Sequence, residues 1–496
     1  MKGFIKYQFL LLILILCVSF ITFGQTDFYK IYTNNGTDFG EGIVQLEDSS
    51  YVITGCSSSF KDGPSQAFLL KIDSLGNRIW SKDYGGLESE GGRRVMYKKN
   101  VGFYIAGYTN SIGNGGFDNY LVKTDEFGNF LWQKSYGGPG WEKVNDAVLL
   151  ADTSIIMVGQ TNSGTAGNND IYIVKTDKNG DTLWTKRMGG LGEDLATSIR
   201  ILNGSTVIIG GEIYVSDSLK QKAYLVCLNV NGTIQWEHYY GNDGDYKIND
   251  LCIVGTEINI IGYRKNKIPN DYDGYSAKVG ITGNFIYEFA YSSPNMESYE
   301  QISQYLTVDK LFIAYNQINS GTYSGGKDLY LGRFRGDLVY DNHELGISSY
   351  GDDIPGQIIP TNDGGVILVG YNSNFGAGSN NVFVTKVGSN DVYPSTTGIP
   401  FPNSLVKLEE ILSSDKDLFS IYPNPTNGDF KIELPKGFEG KVEIRDLSGK
   451  LVYGETVHSE SSQNLQMKCQ NIENGNYFIS IIEKDKRIVT KMILFL

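Results

Sequence analysis

Tyr120-Leu121-Val122-Lys123-Thr124-Asp125-Glu126-Phe127-Gly128-Asn129-Phe130-Leu131-Trp132-Gln133-Lys134-Ser135-Tyr136-Gly137-Gly138 decides the fold of this chain. Tyr120 to Thr124 is a short apolar strand, and Asp125 to Asn129 is a tight turn in which Gly128 is free to take positive φ. Phe130 to Tyr136 returns as a second strand, closed by the Gly137-Gly138 pair. Upstream, Val95-Met96-Tyr97 reads as a further strand, and Lys99-Asn100 turns into the apolar run Gly102–Tyr108. A polar, glycine-rich loop over Thr109–Asn119 then leads back to Tyr120. The unit is four short antiparallel strands.

The same unit recurs. Trp80, Trp132, Trp184 and Trp236 stand 52 residues apart, each in a Gly-x-x-x-Trp phrase. Gly55, Gly107, Gly159, Gly210, Gly262, Tyr315 and Gly370 form a second comb, each ending a β-branched run. A fixed period of this length means one supersecondary unit stacked on copies of itself, and four short strands per period indicate a propeller blade. Asp27 to Tyr393 spans 367 residues, close to seven periods. The last unit lacks its fourth strand, whereas Phe28-Tyr29-Lys30-Ile31-Tyr32 fits that strand at the opposite end. The N-terminal segment is therefore expected to complete the seventh blade and remove two open sheet edges.

Residues 27–393 resemble a bacterial seven-bladed β-propeller repeat family, through the phrase Asp-x-Tyr-Leu-Val-Lys-x-Asp-x-x-Gly-Asn-x-x-Trp-x-Lys-x-Tyr-Gly-Gly. The fifth and sixth units depart from it, with Tyr287 and Tyr340 expected in the tryptophan's place.

Residues 1–24 read as a secretory signal: Lys2 and Lys6, an apolar core from Phe9 to Phe20, and a Thr22-Phe23-Gly24 cleavage site. Removing them leaves no apolar run long enough for a bilayer span in the mature chain. It also lowers the formal net charge from −13 to −15. That balance argues against nucleic acid as a partner, since a phosphate backbone selects a basic face. Cys56, Cys227, Cys252 and Cys469 share no paired spacing and are expected to be buried free thiols.

Residues 394–417 lose the period, carry Pro394, Pro400 and Pro402, and read as a linker with a short helix over 406–412. From 418 to 496 the text changes. It contains Tyr422-Pro423-Asn424-Pro425, then Asn427-Gly428, Asp446-Leu447-Ser448-Gly449-Lys450 and Gly475-Asn476-Tyr477. Alternating strands and a hairpin turn in about 79 residues suggest a small Ig-like β-sandwich. These motifs resemble the type A C-terminal sorting domain of the type IX secretion system of Bacteroidetes. The resemblance implies an interaction with that secretion machinery through residues 418–496, and a secreted or outer-surface location. The fold class expected is all-β, a seven-bladed β-propeller of residues 25–393 followed by the small sandwich.

Chemistry is sparse. His238, His343 and His458 are scattered, and no HExxH, G-x-S-x-G or phosphate-binding glycine loop occurs, so no catalytic residue, metal or cofactor is expected. Asn270-Asp271-Tyr272-Asp273-Gly274 looks like an Asp-rich calcium loop. Pro269 and Gly280, however, stand where its first and closing ligands should be. The long, variable loops follow the second and fourth strands and should emerge on one face. There Glu90, Glu142 and Asp194 fall at equivalent positions, with Trp141, Tyr246 and Tyr299 nearby. Carboxylates beside aromatic rings suit sugar hydroxyls or cationic peptide groups, so these six are the candidate ligand-binding residues. The expected function is non-catalytic binding or adhesion toward an extracellular glycan or protein. The alternative is a polysaccharide lyase or hydrolase with carboxylates on this face.

Overall fold

The computed structural model describes residues 27–388, 405–407 and 421–495, apart from short stretches within these ranges. The chain forms two compact units, Met1–Ile411 and Leu412–Leu496. The signal at 1–24 lies outside the described residues, as do Cys469, Asn270, Asp271 and nearly all of 394–417.

Seven blades of four antiparallel strands make the first unit, the seventh carrying a short fifth strand on its outer edge. Their first strands are Asp38–Gln45, Glu90–Lys98, Glu142–Leu149, Leu195–Asn203, Asp245–Val254, Glu297–Gln304 and Asp353–Pro360. Side chains from all seven line one central cavity. Six blades run through four consecutive strands; the seventh takes its fourth from the N-terminus, Phe28–Thr33, which pairs antiparallel with Asn381–Val387. The expected closure is what the chain does.

The core lies between blades rather than within them. Leu69 and Tyr84 of the first blade pack with Phe103, Ile105 and Tyr120 of the second. The same face-to-face packing recurs between the second and third blades, the third and fourth, and onward to the seventh, where Ile31 joins Phe312, Leu329 and Phe383. Second strands are buried on both faces, Tyr51–Ser57 throughout, which is why they read as unbroken β-branched runs. Fourth strands form the outer rim, with Phe130 and Leu131 exposed.

The repeated phrase is an inter-blade clasp. Gly128 takes φ of +74° in the third-to-fourth-strand hairpin of its blade. A side chain there would collide with the Trp80 ring of the preceding blade. The Tyr84 hydroxyl donates to the Gly128 carbonyl at 2.7 Å, and Lys82 Nζ donates to Asn129 Oδ1 at 2.6 Å. One blade's Trp-x-Lys-x-Tyr thus grips the next blade's Gly-Asn turn.

Three readings are corrected. The first strand of the second blade begins at Glu90 rather than Val95, because its glycines Gly91 and Gly92 still pair with the second strand. In the sixth blade the register sets His343, not Tyr340, opposite Arg333, where the first four blades place tryptophan. Leu405–Lys407, two of whose residues fall in the expected helix, is a strand parallel to Phe28–Thr33. Pairing to that otherwise open edge satisfies backbone groups that a helix would leave facing it.

The second unit has two sheets. One joins Ile421–Tyr422, Asp429–Leu434 and Gln463–Lys468; the other joins Leu451–His458, Glu439–Arg445, Gly475–Glu483 and Lys486–Phe495. Phe430, Ile432, Val442, Ile444, Val457 and Ile479 are its buried side chains among the described residues. Tyr422, Gly475 and Tyr477 lie on strands, whereas Pro423, Asn424, Pro425, Gly428, Gly449 and Lys450 lie outside the described residues.

Candidate functional site

The loops after second and fourth strands do meet on one face: Glu90 N donates to Ser65 O, and Asn110 N to Ser89 O. The six candidate residues do not assemble there. Glu90, Glu142 and Asp194 are at most 1% exposed. Glu142 Oε2 accepts from Gly138 N at 2.9 Å, and Oε1 from the Thr161 hydroxyl at 2.5 Å. Glu90 accepts from Gly86 N and Thr109 Oγ1; Asp194 accepts from Gly190 N and Tyr214 N. Each carboxylate ties a Gly-Gly crossover to its own blade's second strand or the loop after it. The crossover needs glycine, since a Cβ at Gly137 would stand about 2 Å from both the Glu142 and Asp118 carboxylates.

Tyr246 holds the acid's position in the fifth blade: its ring fills the space beside Gly241 and belongs to the core between the fourth and fifth blades. Tyr299 is core between the fifth and sixth. A buried, hydrogen-bonded carboxylate or a core ring presents no atom to a ligand, so these five residues hold the frame. Trp141 alone of the six is partly exposed, its backbone N–H held by Asn162 Oδ1 at 2.7 Å.

The sequence reading missed the channel. In every blade the first strand carries a β-bulge three residues beyond the frame position. The unpaired residues are Glu41, Arg93, Asn145, Thr197, Asn249, Glu300 and Gly356, and all seven line a cavity of about 360 Å³. A bulge re-aims its extra residue out of the ladder, here toward the axis. The first five recur at 52-residue spacing with five different positions and four residue types, a signal that was in the text. Lys143, Leu195 and Lys247, two residues earlier in their strands, add a second layer, and Gln160 stands opposite Lys143 in the ladder.

Charge in the cavity is largely paired. Arg93 meets Glu41 at 2.8 Å, and that carboxylate holds the guanidinium pKa above its ordinary value. Lys247 stands 3.7 Å from Glu212. Burial pushes the Glu300 carboxyl up. Lys143 has no carboxylate within ion-pair distance among the described residues; the Arg93 charge, and then burial, lower its ammonium to about 8.

Just behind the bulges runs a buried ion ladder. Arg94 Nε meets Asp146 Oδ1 at 2.7 Å, Arg200 Nη1 meets Asp146 Oδ2 at 2.7 Å, and Arg200 Nη2 meets Asp250 Oδ1 at 2.5 Å. Asp146 and Asp250 also accept the backbone N–H of Ile199 and Ile302 in the next blade. Despite the cost of burial, the two guanidiniums keep Asp146 below the ordinary carboxylate range.

Cys56, Cys227 and Cys252 are buried free thiols. The His238 ring lies beside those of Trp236 and Tyr240 on the outer rim. Asp273 of the suspected calcium loop is buried and paired with Arg264 at 2.6 Å.

Fold and tail together define an exported seven-bladed propeller. Residues 420–495 match the secretion system C-terminal sorting domain family, so the protein is a type IX secretion cargo destined for the medium or the cell surface. The chain is 24% identical over 177 residues to the regulatory protein FlaEY of Caulobacter vibrioides, a match covering 31% of this chain and 18% of that protein. The aligned part is thus under a fifth of FlaEY's length. Among solved structures, the Neurospora crassa Pan2 WD40 domain is 12% identical, covers 72% of this chain and 99% of its own, with a TM-score of 0.44. An α-L-arabinofuranosidase, Arb93A of Fusarium graminearum, is 9% identical over 73% and 97% of the two chains, with a TM-score of 0.39.

Proposed function

We propose that the propeller is a non-catalytic binding module that holds an extracellular glycan or protein segment at the loop-rich end of its central channel. One observation carries this reading: the frame repeats while the channel does not. The caps are Glu90, Glu142 and Asp194, and Tyr84, Tyr136 and Tyr240 each donate to the next blade's turn glycine. The bulge positions instead hold Glu, Arg, Asn, Thr, Asn, Glu and Gly around one ring. A residue needed for blade packing is constrained to one type, whereas a ligand without sevenfold symmetry needs a ring without it. Trp141 supplies an aromatic surface on the loop-rich face.

The enzyme reading rests on Glu300, the cavity carboxyl whose protonation burial favours. Its would-be partner Glu41 is committed to Arg93, which favours binding over acid–base work.

The test is a glycan array and a protein pull-down with the secreted chain, repeated with Glu41→Gln/Arg93→Gln and with Trp141→Ala. Ligands retained by wild type and lost by the channel double variant support the reading. Ligands held equally by all three proteins refute a channel site, and turnover of a retained glycan refutes the non-catalytic part.

A further inference from the structure

Among the described residues, six charged side chains line the cavity: Glu41, Arg93, Arg94, Lys143, Lys247 and Glu300. Arg93 is neutralised by Glu41, Arg94 by Asp146 and, more loosely, Lys247 by Glu212. Glu300 is pushed toward its neutral acid form by burial. What remains is the Lys143 ammonium, facing the charges of Arg93 and Lys247 with Glu41 as its acidic neighbour. A cation crowded by other cations in a partly desolvated cavity gains most from an anion that joins them, because it removes repulsion and replaces lost hydration. The surroundings are amides rather than further charges: Asn145 and Gln160 beside Lys143, then Asn249 and Gln301. Amides donate and accept at once, which matches ring hydroxyls. The volume lies in the roughly 300–1,000 Å³ range of small-ligand sites.

Resting on the binding-module reading, we infer that the central cavity takes an acidic saccharide, its carboxylate or sulfate seated against Lys143 and its hydroxyls on the surrounding amides. The selection is unexpected for a chain of formal charge −13, whose overall field repels such ligands. It is local, set by Lys143, the cavity cation that among the described residues has no carboxylate in an ion pair of its own.

Calorimetry on the full secreted chain tests it, using three probes: tri-galacturonate, the same trimer as its methyl ester, and a sulfated galactan tetrasaccharide. Either acidic probe should bind at least tenfold more tightly than the neutral ester, and which of the two binds names the anion. Lys143→Met should remove that preference. Affinity should fall as pH rises through about 8, where the Lys143 ammonium is lost. Lys143→Arg should restore binding and carry it beyond pH 9, which a purely structural lysine would not do. Equal affinity for acid and ester overturns the anion selection while leaving the binding-module reading intact. An acidic hexapeptide that binds as tightly as the saccharides overturns the saccharide assignment. Failure of all three saccharide probes overturns this proposal, and the array and pull-down then judge the broader reading separately.

Discussion

The Tyr32 hydroxyl donates to the carbonyl of Gly76 at 2.7 Å, across 44 residues of sequence. Tyr84 does the same to Gly128, and Tyr136 to Gly180, at the same distance and separation. The N-terminal strand therefore engages the first blade as the first engages the second and the second the third, and the ring closes through a clasp it already uses elsewhere.

Deleting residues 25–34 removes that clasp and bares the edge of Asn381–Val387. The shortened protein is expected to melt far lower or to aggregate through the open edge. Tyr32→Phe removes only the hydrogen bond and should cost about 1 kcal/mol by denaturant unfolding. Unchanged melting of the deletion variant would sink the closure.

Asp146 lies between Arg94 and Arg200 at 2.7 Å from each. Asp146→Ala strands the buried Arg94 guanidinium, leaves Arg200 with Asp250 alone, and should cost about 3–5 kcal/mol, among the largest single-site losses in the propeller. Urea midpoints should rank Asp146→Ala well below Asp181→Ala, whose side chain is exposed. Equal midpoints would contradict the ladder's role.

Asp118 gives stability a pH signature. Burial pushes its carboxyl up to about 6, and the Glu142 carboxylate across the blade boundary pushes the same way. A carboxyl raised on folding binds its proton more tightly in the folded state. Its contribution is therefore whole below the unfolded value near 4 and is lost as pH rises toward 6 and beyond. Asp118→Asn should melt higher relative to wild type at pH 7 than at pH 4, since its amide oxygen can still accept from Asn114 N. A melting difference that is the same at both pH values contradicts this.

Trp141 is partly exposed, and among the described residues its hydrogen bonds run through its backbone rather than its indole. Trp141→Ala should leave melting within about a degree or two, as surface changes usually do. It should weaken whatever ligand is retained roughly tenfold to thirtyfold. Unfolding of this variant would make Trp141 a frame residue, like Tyr246.

The sorting domain makes a cellular prediction. A chain stopped at Asp417 should remain in the periplasm, and residues 394–496 fused to a foreign exported protein should carry it outside. The truncated chain found outside the cell at wild-type levels would refute the assignment.

Much of the frame was legible because its residues recur. Trp80 and Gly128 sit in repeated phrases, and a phrase recurring every 52 residues already implies one unit gripping the next. The candidate site was misread for the same reason. Glu90, Glu142 and Asp194 recur because Gly-Gly crossovers need a buried acceptor, so recurrence at equivalent positions marks the frame rather than a ligand site.

By itself the sequence determined the seven blades, the closing N-terminal strand and the sorting tail. These are properties of period and local pattern, set by which residues fit a twisted four-stranded unit and its turns. Tertiary structure alone decided which polar side chains face the axis. A single bulge shifts the alternation by one residue, so Glu41 and Arg93 turn into the channel while Asp146 turns into the wall. Alternation along a strand assigns faces only while the ladder is regular. Where each blade inserts an extra residue, backbone pairing between strands far apart in sequence sets the direction of every side chain beyond it.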